Sequence, residues 1–146
     1  MDIGTGRGYP ASSLSNFSPH PFIFDGVKCN SMEGFLQSLK FKNPDMQREV
    51  CLMVGKKAKF KGKPKKWWRT QTLWWKGKEI DRHSEEYQQL LDGAYWALFE
   101  NSKFKCALKA SQSAVLRHSI GKSDASRTIL TRREFCRRLE IMRETL

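Results

Sequence analysis

The sequence predicts an α+β fold, predominantly α, in a single domain spanning residues 1–146, with a short N-terminal β-hairpin and about five to six helices. Three observations carry this. Apolar residues recur at i, i+3, i+4 and i+7 in several separate segments, which is the period of a helix with one buried face. Two segments open with a short polar residue three positions before a glutamate, the spacing of a capping box. One stretch places Asp-Gly between two apolar triplets, the form of a tight hairpin. A chain of 146 residues is also long enough to bury a substantial core without disulfide staples.

Residues 1–12 are Gly-rich and aperiodic and read as a loop or extended entry. Phe22-Ile23-Phe24 and Val27-Lys28-Cys29 flank Asp25-Gly26, a pair that accepts the positive φ angles of a two-residue turn. Asn30 precedes Glu33 by three and marks a helix start, and the helix runs from Ser31 to Lys42 with Met32, Phe35, Leu36 and Leu39 as its buried stripe. Pro44 ends it. A second helix is expected over Asp45–Gly55, with Met46, Val50 and Met53 inward. The lysine-rich run Lys56–Lys66 reads as a loop or frayed turn. Four tryptophans follow between Trp67 and Trp75, and at least two of them should be buried, since adjacent pairs rarely all face outward. Ser84 caps a long helix to Asn101 with the stripe Tyr87, Leu90, Leu91, Ala94, Tyr95 and Leu98. Another helix is expected over Lys103–His118, with Phe104, Leu108 and Val115 inward. Gly121–Ser126 is a polar loop, and Thr131 with Glu134 opens a last helix that turns Phe135, Leu139 and Met142 to one side.

Composition narrows the function classes. The 27 Lys and Arg against 15 Asp and Glu give a net charge of +12, which favours polyanionic partners such as nucleic acids, nucleotides or phosphorylated metabolites. No apolar stretch reaches about 18 residues, so no membrane partner is expected, and the N-terminus lacks the pattern of a secretion signal. Cys29, Cys51, Cys106 and Cys136 are scattered with no CxxC pair, which argues against a zinc site or a redox motif. Reduced, mostly buried thiols in a cytoplasmic protein are the expectation.

One helix carries more than a core stripe. Glu33, Gln37 and Lys40 stand at i, i+4 and i+7 and share a narrow arc beside the apolar stripe. Such an arc is either an ordinary solvated face or one side of a cleft. The wider pattern resembles the NADAR family. Ser15-Asn16-Phe17 is similar to its F-S-N-F entry, Phe24-Asp25-Gly26 to its V-D-G turn, and Glu33, Gln37, Lys40 and Phe41 to E-x-x-x-Q-x-x-K-F. Phe99–Ser111, Leu116-Arg117-His118 and Leu139–Leu146 resemble later family segments in the same order. The pattern departs where the family has D-x-x-W-G-x-G. Here the chain has Gly121–Ser126, with Asp124 as the matching aspartate, and His83 stands closest to a tryptophan the family uses.

The resemblance implies hydrolysis of a ribosyl–nitrogen bond, without a metal or redox cofactor. It implies substrates that are ADP-ribosylated, such as ADP-ribosyl-guanine free or in DNA or RNA, or phosphoribosylated. Such a bond breaks through a cation-like transition state that a carboxylate can stabilise while activating water. On this basis Glu33, Lys40 and Asp124 are the candidate catalytic residues. Lys40 either anchors phosphate or attacks C1 as an amine. Asn16, Phe17, Gln37, His83 and His118 are the candidate substrate contacts, and Lys56, Lys57, Lys59 and Lys61 the candidate phosphate or nucleic-acid contacts, with the neighbouring tryptophans as stacking platforms. The alternative is a catalytically inactive module that binds ADP-ribose or nucleic acid. The small size, high charge and atypical loop suit a viral or mobile-element protein, in which case the cytoplasm would be the host's.

Overall fold

The computed structural model describes residues 1–146. In chain order the elements are β1 (Phe22–Phe24), β2 (Val27–Cys29), α1 (Met32–Ser38), α2 (Pro44–Cys51), α3 (Gly55–Gly62), β3 (Thr72–Trp75), β4 (Lys78–Asp81), α4 (Glu85–Phe99), α5 (Ser102–Ala110) and α6 (Arg132–Glu144). The result is the expected α+β domain: six helices and two antiparallel hairpins. No helix is long and apolar enough to cross a membrane.

The first hairpin turns at Asp25 and Gly26, with φ of 50° and 75°, and pairs Phe24 with Val27. The second was not expected from the sequence. It turns at Lys76 and Gly77, with φ of 51° and 80°, and pairs Trp75 with Lys78. Lysine at a turn position is a weaker signal than Asp or Asn, and the tryptophans around it read equally well as core or platform. Trp75 ties the hairpins together: its Nε1 donates to Asp25 Oδ2 at 2.9 Å, and its ring lies 5.5 Å from Phe24 and 5.3 Å from Phe35. Trp67 and Trp75 are buried, whereas Trp68 is 52% exposed.

Four helix assignments shift. The cap of α1 is Ser31, whose side chain accepts from Gly34 N; Asn30 instead donates to Leu52 O, and the helix ends at Ser38, not at Lys42, with Lys40 N and Phe41 N closing tight turns onto Gln37 O and Ser38 O. The second helix stops at Cys51, before a positive φ of 57° at Gly55. The lysine run is not a loop: α3 occupies it, burying only Ala58 and Gly62. A face made of alanine and glycine carries no hydrophobic stripe, so the helix is invisible to periodicity. Gly62 is required there, because a Cβ would collide with the Gln37 side chain of α1. The helix after Asn101 ends at Ala110, and Val115 is 65% exposed rather than inward. The capping box of α6 is present as expected.

The core surrounds α4, whose Tyr87, Leu91, Ala94, Tyr95 and Leu98 are buried. It joins Met32, Phe35, Leu36 and Leu39 of α1 to Phe135, Leu139 and Met142 of α6. Gln47 of α2 stitches the first layer to the second hairpin. Its Nε2 donates to Ser38 O and Trp74 O, and its Oε1 accepts from Lys76 N. Ser38 O also accepts from Phe41 N, so the Gln47 amide is its second donor. The N-terminal entry bridges in parallel to the segment after α5, at Asp2 and Arg117, and buries Ile3.

Candidate active site

Helix α1 and the turn that follows it present Glu33, Gln37 and, from the turn, Lys40 to a cavity of about 440 Å³. Its near rim is Ser15, Asn16 and Phe17. One wall comes from α3 and the segment after it, with Lys59, Lys63, Lys65, Trp67 and Trp68. The other wall is built from His118 to Lys122 and from Arg127 to Leu130.

Local bonds fix the floor. Glu33 N donates to Asn16 O at 2.9 Å, which docks the entry loop on the first turn of α1. Tyr95 Oη, from the core side, donates to Asn16 Oδ1 at 2.8 Å. Gln37 Nε2 donates to Glu33 Oε2 at 3.1 Å. The Gln37 Oε1 is buried, without a hydrogen-bond partner, against Gly62.

The electrostatics follow from depth. Burial pushes the Glu33 carboxyl above the usual carboxylate range, against the Gln37 hydrogen bond and the charges of Lys40 and Lys59. Burial pulls the Lys40 amine below its ordinary value, with Glu33 opposing and Lys122 adding to the fall. The two groups are thus drawn toward each other in acidity, the pattern that suits proton transfer and a more nucleophilic amine. Glu33 is the only acid in the lining, facing Lys40, Lys59, Lys63, Lys65, Lys122 and Arg127.

The far wall is held from behind by a buried ion pair. Arg82 is 1% exposed and forks onto Glu134 at 2.7 and 3.1 Å, while its Nε donates to Thr128 O at 2.9 Å. Tyr87 Oη donates to Ile129 O, and Gln71 Nε2 to Ser126 O. Burial alone would raise the Glu134 carboxyl, but hydrogen bonds from Arg82, Gln88 and Thr131 N hold it below the usual range.

Of the residues expected from the sequence, Glu33, Lys40, Asn16, Phe17, Gln37, His118 and Lys59 line this one cavity. Asp124 does not reach it. Its exposed carboxylate accepts from Ser126 N and Oγ, closing a local turn, and lies 3.8 Å from Arg127 Nε. His83 is also outside, its Nε2 2.8 Å from Gln71 Oε1. Lys56, Lys57 and Lys61 are exposed on α3 away from the lining. Lys122, Arg127, Thr128 and Ile129 went unanticipated. They lie in a polar stretch whose departure from the family pattern drew attention to Asp124 alone, and nothing local marks them. No group of three His, Cys, Asp or Glu side chains comes together as a metal site would require.

The model of the family described as bacteriophage protein GP30.3 matches residues 8–144. The chain belongs to this family. This GP30.3-family chain is 36% identical over 151 residues to an uncharacterized 17.1 kDa protein in the Gp30–rIII intergenic region of enterobacteria phage T4, covering 100% of the chain and 98% of that relative. Its fold is similar to that of the E. coli protein YbiA solved by NMR, with a TM-score of 0.63 at 17% identity over 98% of this chain and 81% of that one. The NADAR resemblance is therefore upheld as a fold, while the family itself is the phage one.

Proposed function

We propose that this GP30.3-family protein is an N-glycosidase that hydrolyses a ribosyl–nitrogen bond in a phosphate-bearing nucleotide. One observation carries the proposal: Glu33 and Lys40 share a single cavity in which every other charged lining group is a cation. A ring of lysines and one arginine is matched to phosphate oxygens. Glu33, the lone acid, is left to act at the sugar, where it stabilises positive charge at C1 and takes a proton from the attacking water. Phe17, Trp67 and Trp68 offer aromatic surface to a base. The exposed lysines of α3, outside the cavity, suit a substrate carried in DNA or RNA.

A second reading keeps the cavity and drops the chemistry, as an ADP-ribose or nucleic-acid binding module. The placement of Asp124 outside the cavity favours it, since one expected acid is missing from the lining. A product assay separates the two: ADP-ribosylated guanine, free and in DNA, beside phosphoribosylated intermediates. Base release by the wild type, lost on the order of 100-fold or more in Glu33→Gln with binding retained, is the expected result. Binding without release in the wild type would establish the module instead.

A further inference from the structure

The chemistry so far leaves unused one titratable group of the lining, His118. Its Nδ1 lies 3.0 Å from Ile3 O, and because a carbonyl only accepts, Nδ1 carries a hydrogen. The ring stands edge-on to Phe135 at 5.0 Å, and a Cβ at Gly121 would come within 2.6 Å of His118 Cδ2. The imidazole is therefore held on three sides in one orientation. Its Nε2 has no hydrogen-bond partner in the protein and is not sealed from solvent. An immobilised ring with one committed nitrogen and one free nitrogen, in the same cavity as the half-buried Glu33 carboxyl, is the arrangement of a proton-transfer group, which donates from Nε2 when the ring is the imidazolium.

The charges around it are mixed. Asp2 of the entry segment is bonded to Ser119, and Arg132 of α6 donates to Gly121 O and Ser119 O. Lys122 follows on its own segment, and Glu33 of α1 and Lys40 of the turn after it line the same cavity.

We propose that His118 Nε2 protonates the leaving nitrogen of the substrate, with Glu33 as the partner that takes the water proton; this rests on the N-glycosidase reading. His118 enters the step as the imidazolium, with Nδ1–H on Ile3 O and a second proton on Nε2. The C1–N bond breaks with its electron pair going to nitrogen, which receives the Nε2 proton and leaves the neutral imidazole behind. The water oxygen bonds to C1, and its proton passes to the Glu33 carboxylate. Solvent then returns Glu33 and His118 to their starting forms, so one water is consumed and no other reactant is needed. A built-in acid matters for one class of substrate: a ribosyl group on a neutral nitrogen base, whose departure as an anion would be slow. It is superfluous for a pyridinium, which leaves as a neutral molecule.

The test is a series of ribosylated bases of graded leaving-group basicity, turned over by the wild type, His118→Asn and His118→Gln, with melting curves as a check on folding. The asparagine amide can keep the bond to Ile3 O while removing the second nitrogen. For the poorest leaving groups kcat should fall by about 10²–10⁴ in both variants. The loss should shrink toward nothing as the leaving group improves, and the alkaline limb of the wild-type pH profile should fade along the same series. The wild-type profile alone gives the answer if the variants do not fold. An equal loss across the series, no loss at all, or an alkaline limb indifferent to the leaving group overturns the assignment while leaving the glycosidase intact. A wild type that releases no base from any substrate overturns both.

Discussion

Glu33 sits where its charge is costly, and that cost is measurable. Burial raises its carboxyl, so folding costs the ionised form, the one the chemistry uses, more than the neutral form. A group whose folded pKa lies above its unfolded value contributes stability that is fully present below the unfolded pKa, near 4.3 for glutamate, and lost as pH rises through the folded value. Glu33→Gln is neutral throughout and escapes this loss. The variant is expected to melt higher than the wild type at pH 7–8, by about 2–4 °C per kcal/mol recovered, with the gap closing toward pH 4. A variant that melts lower at neutral pH would mean that the carboxylate is stabilised in place. Lys40 poses a different question, because its lowered amine suits either phosphate anchoring or attack on C1. If it attacks, borohydride added during turnover traps a sugar adduct whose mass appears on the wild type and not on Lys40→Ala. If it anchors, no adduct forms and the mutant loses affinity.

At the level of elements, the site depends on how closely α1 can approach its neighbours. Gly34 is the contact point with the end of α2: a Cβ there would lie 2.5 Å from Met53 O and 2.9 Å from Cys51 O and Val50 O. These are backbone atoms and cannot rotate away. Gly34→Ala is therefore expected to cost about 1–3 kcal/mol, as overpacking does, and to tilt the first turn of α1 where Glu33 stands. Chemical denaturation should report the loss, and activity should fall further than the fraction unfolded explains. Helix α3 follows the same logic from the other side, since its buried face of Ala58 and Gly62 lets it lie against Gln37 and bring Lys59 to the cavity.

Across the whole molecule, the far wall is set by groups distant from it in sequence. Arg82, just before α4, reaches Glu134 of α6 and Thr128 of the wall together. A buried ion pair adds little over a well-packed apolar one, but removing one partner strands the other. Glu134→Ala is thus expected to cost about 3–5 kcal/mol at pH 7. Because the Glu134 carboxyl is held below its usual range, this contribution is present above the unfolded pKa and is lost as pH falls through the folded value. Urea titrations at pH 7 and pH 3 should show the mutant and wild type converging at the lower pH. A mutational cost independent of pH would assign the effect to packing and not to charge.

Whatever depends on near neighbours can be read from the chain alone. Helix periodicity fixed the core faces of α1, α4 and α6, an Asp-Gly pair fixed the first hairpin, and Thr131 with Glu134 fixed the start of α6. The pairing of Glu33 with Gln37 was also legible, since helical geometry places i and i+4 together, whereas Lys40 joins them from the turn after Ser38. The rest of the cavity is set by packing between segments distant in the chain. Helix α3 hides its packing face in alanine and glycine, so no stripe announces it. Lys122 and Arg127 lie in polar, irregular chain whose position is imposed by Arg82, Tyr87 and Gln71 reaching from 42 or more residues away. Asp124 went the other way: the family resemblance made it a candidate, and a turn closed on Ser126 keeps it at the surface. Local pattern records which side of an element is buried, but not which elements meet; that is settled by packing and by the need to pair every buried polar group.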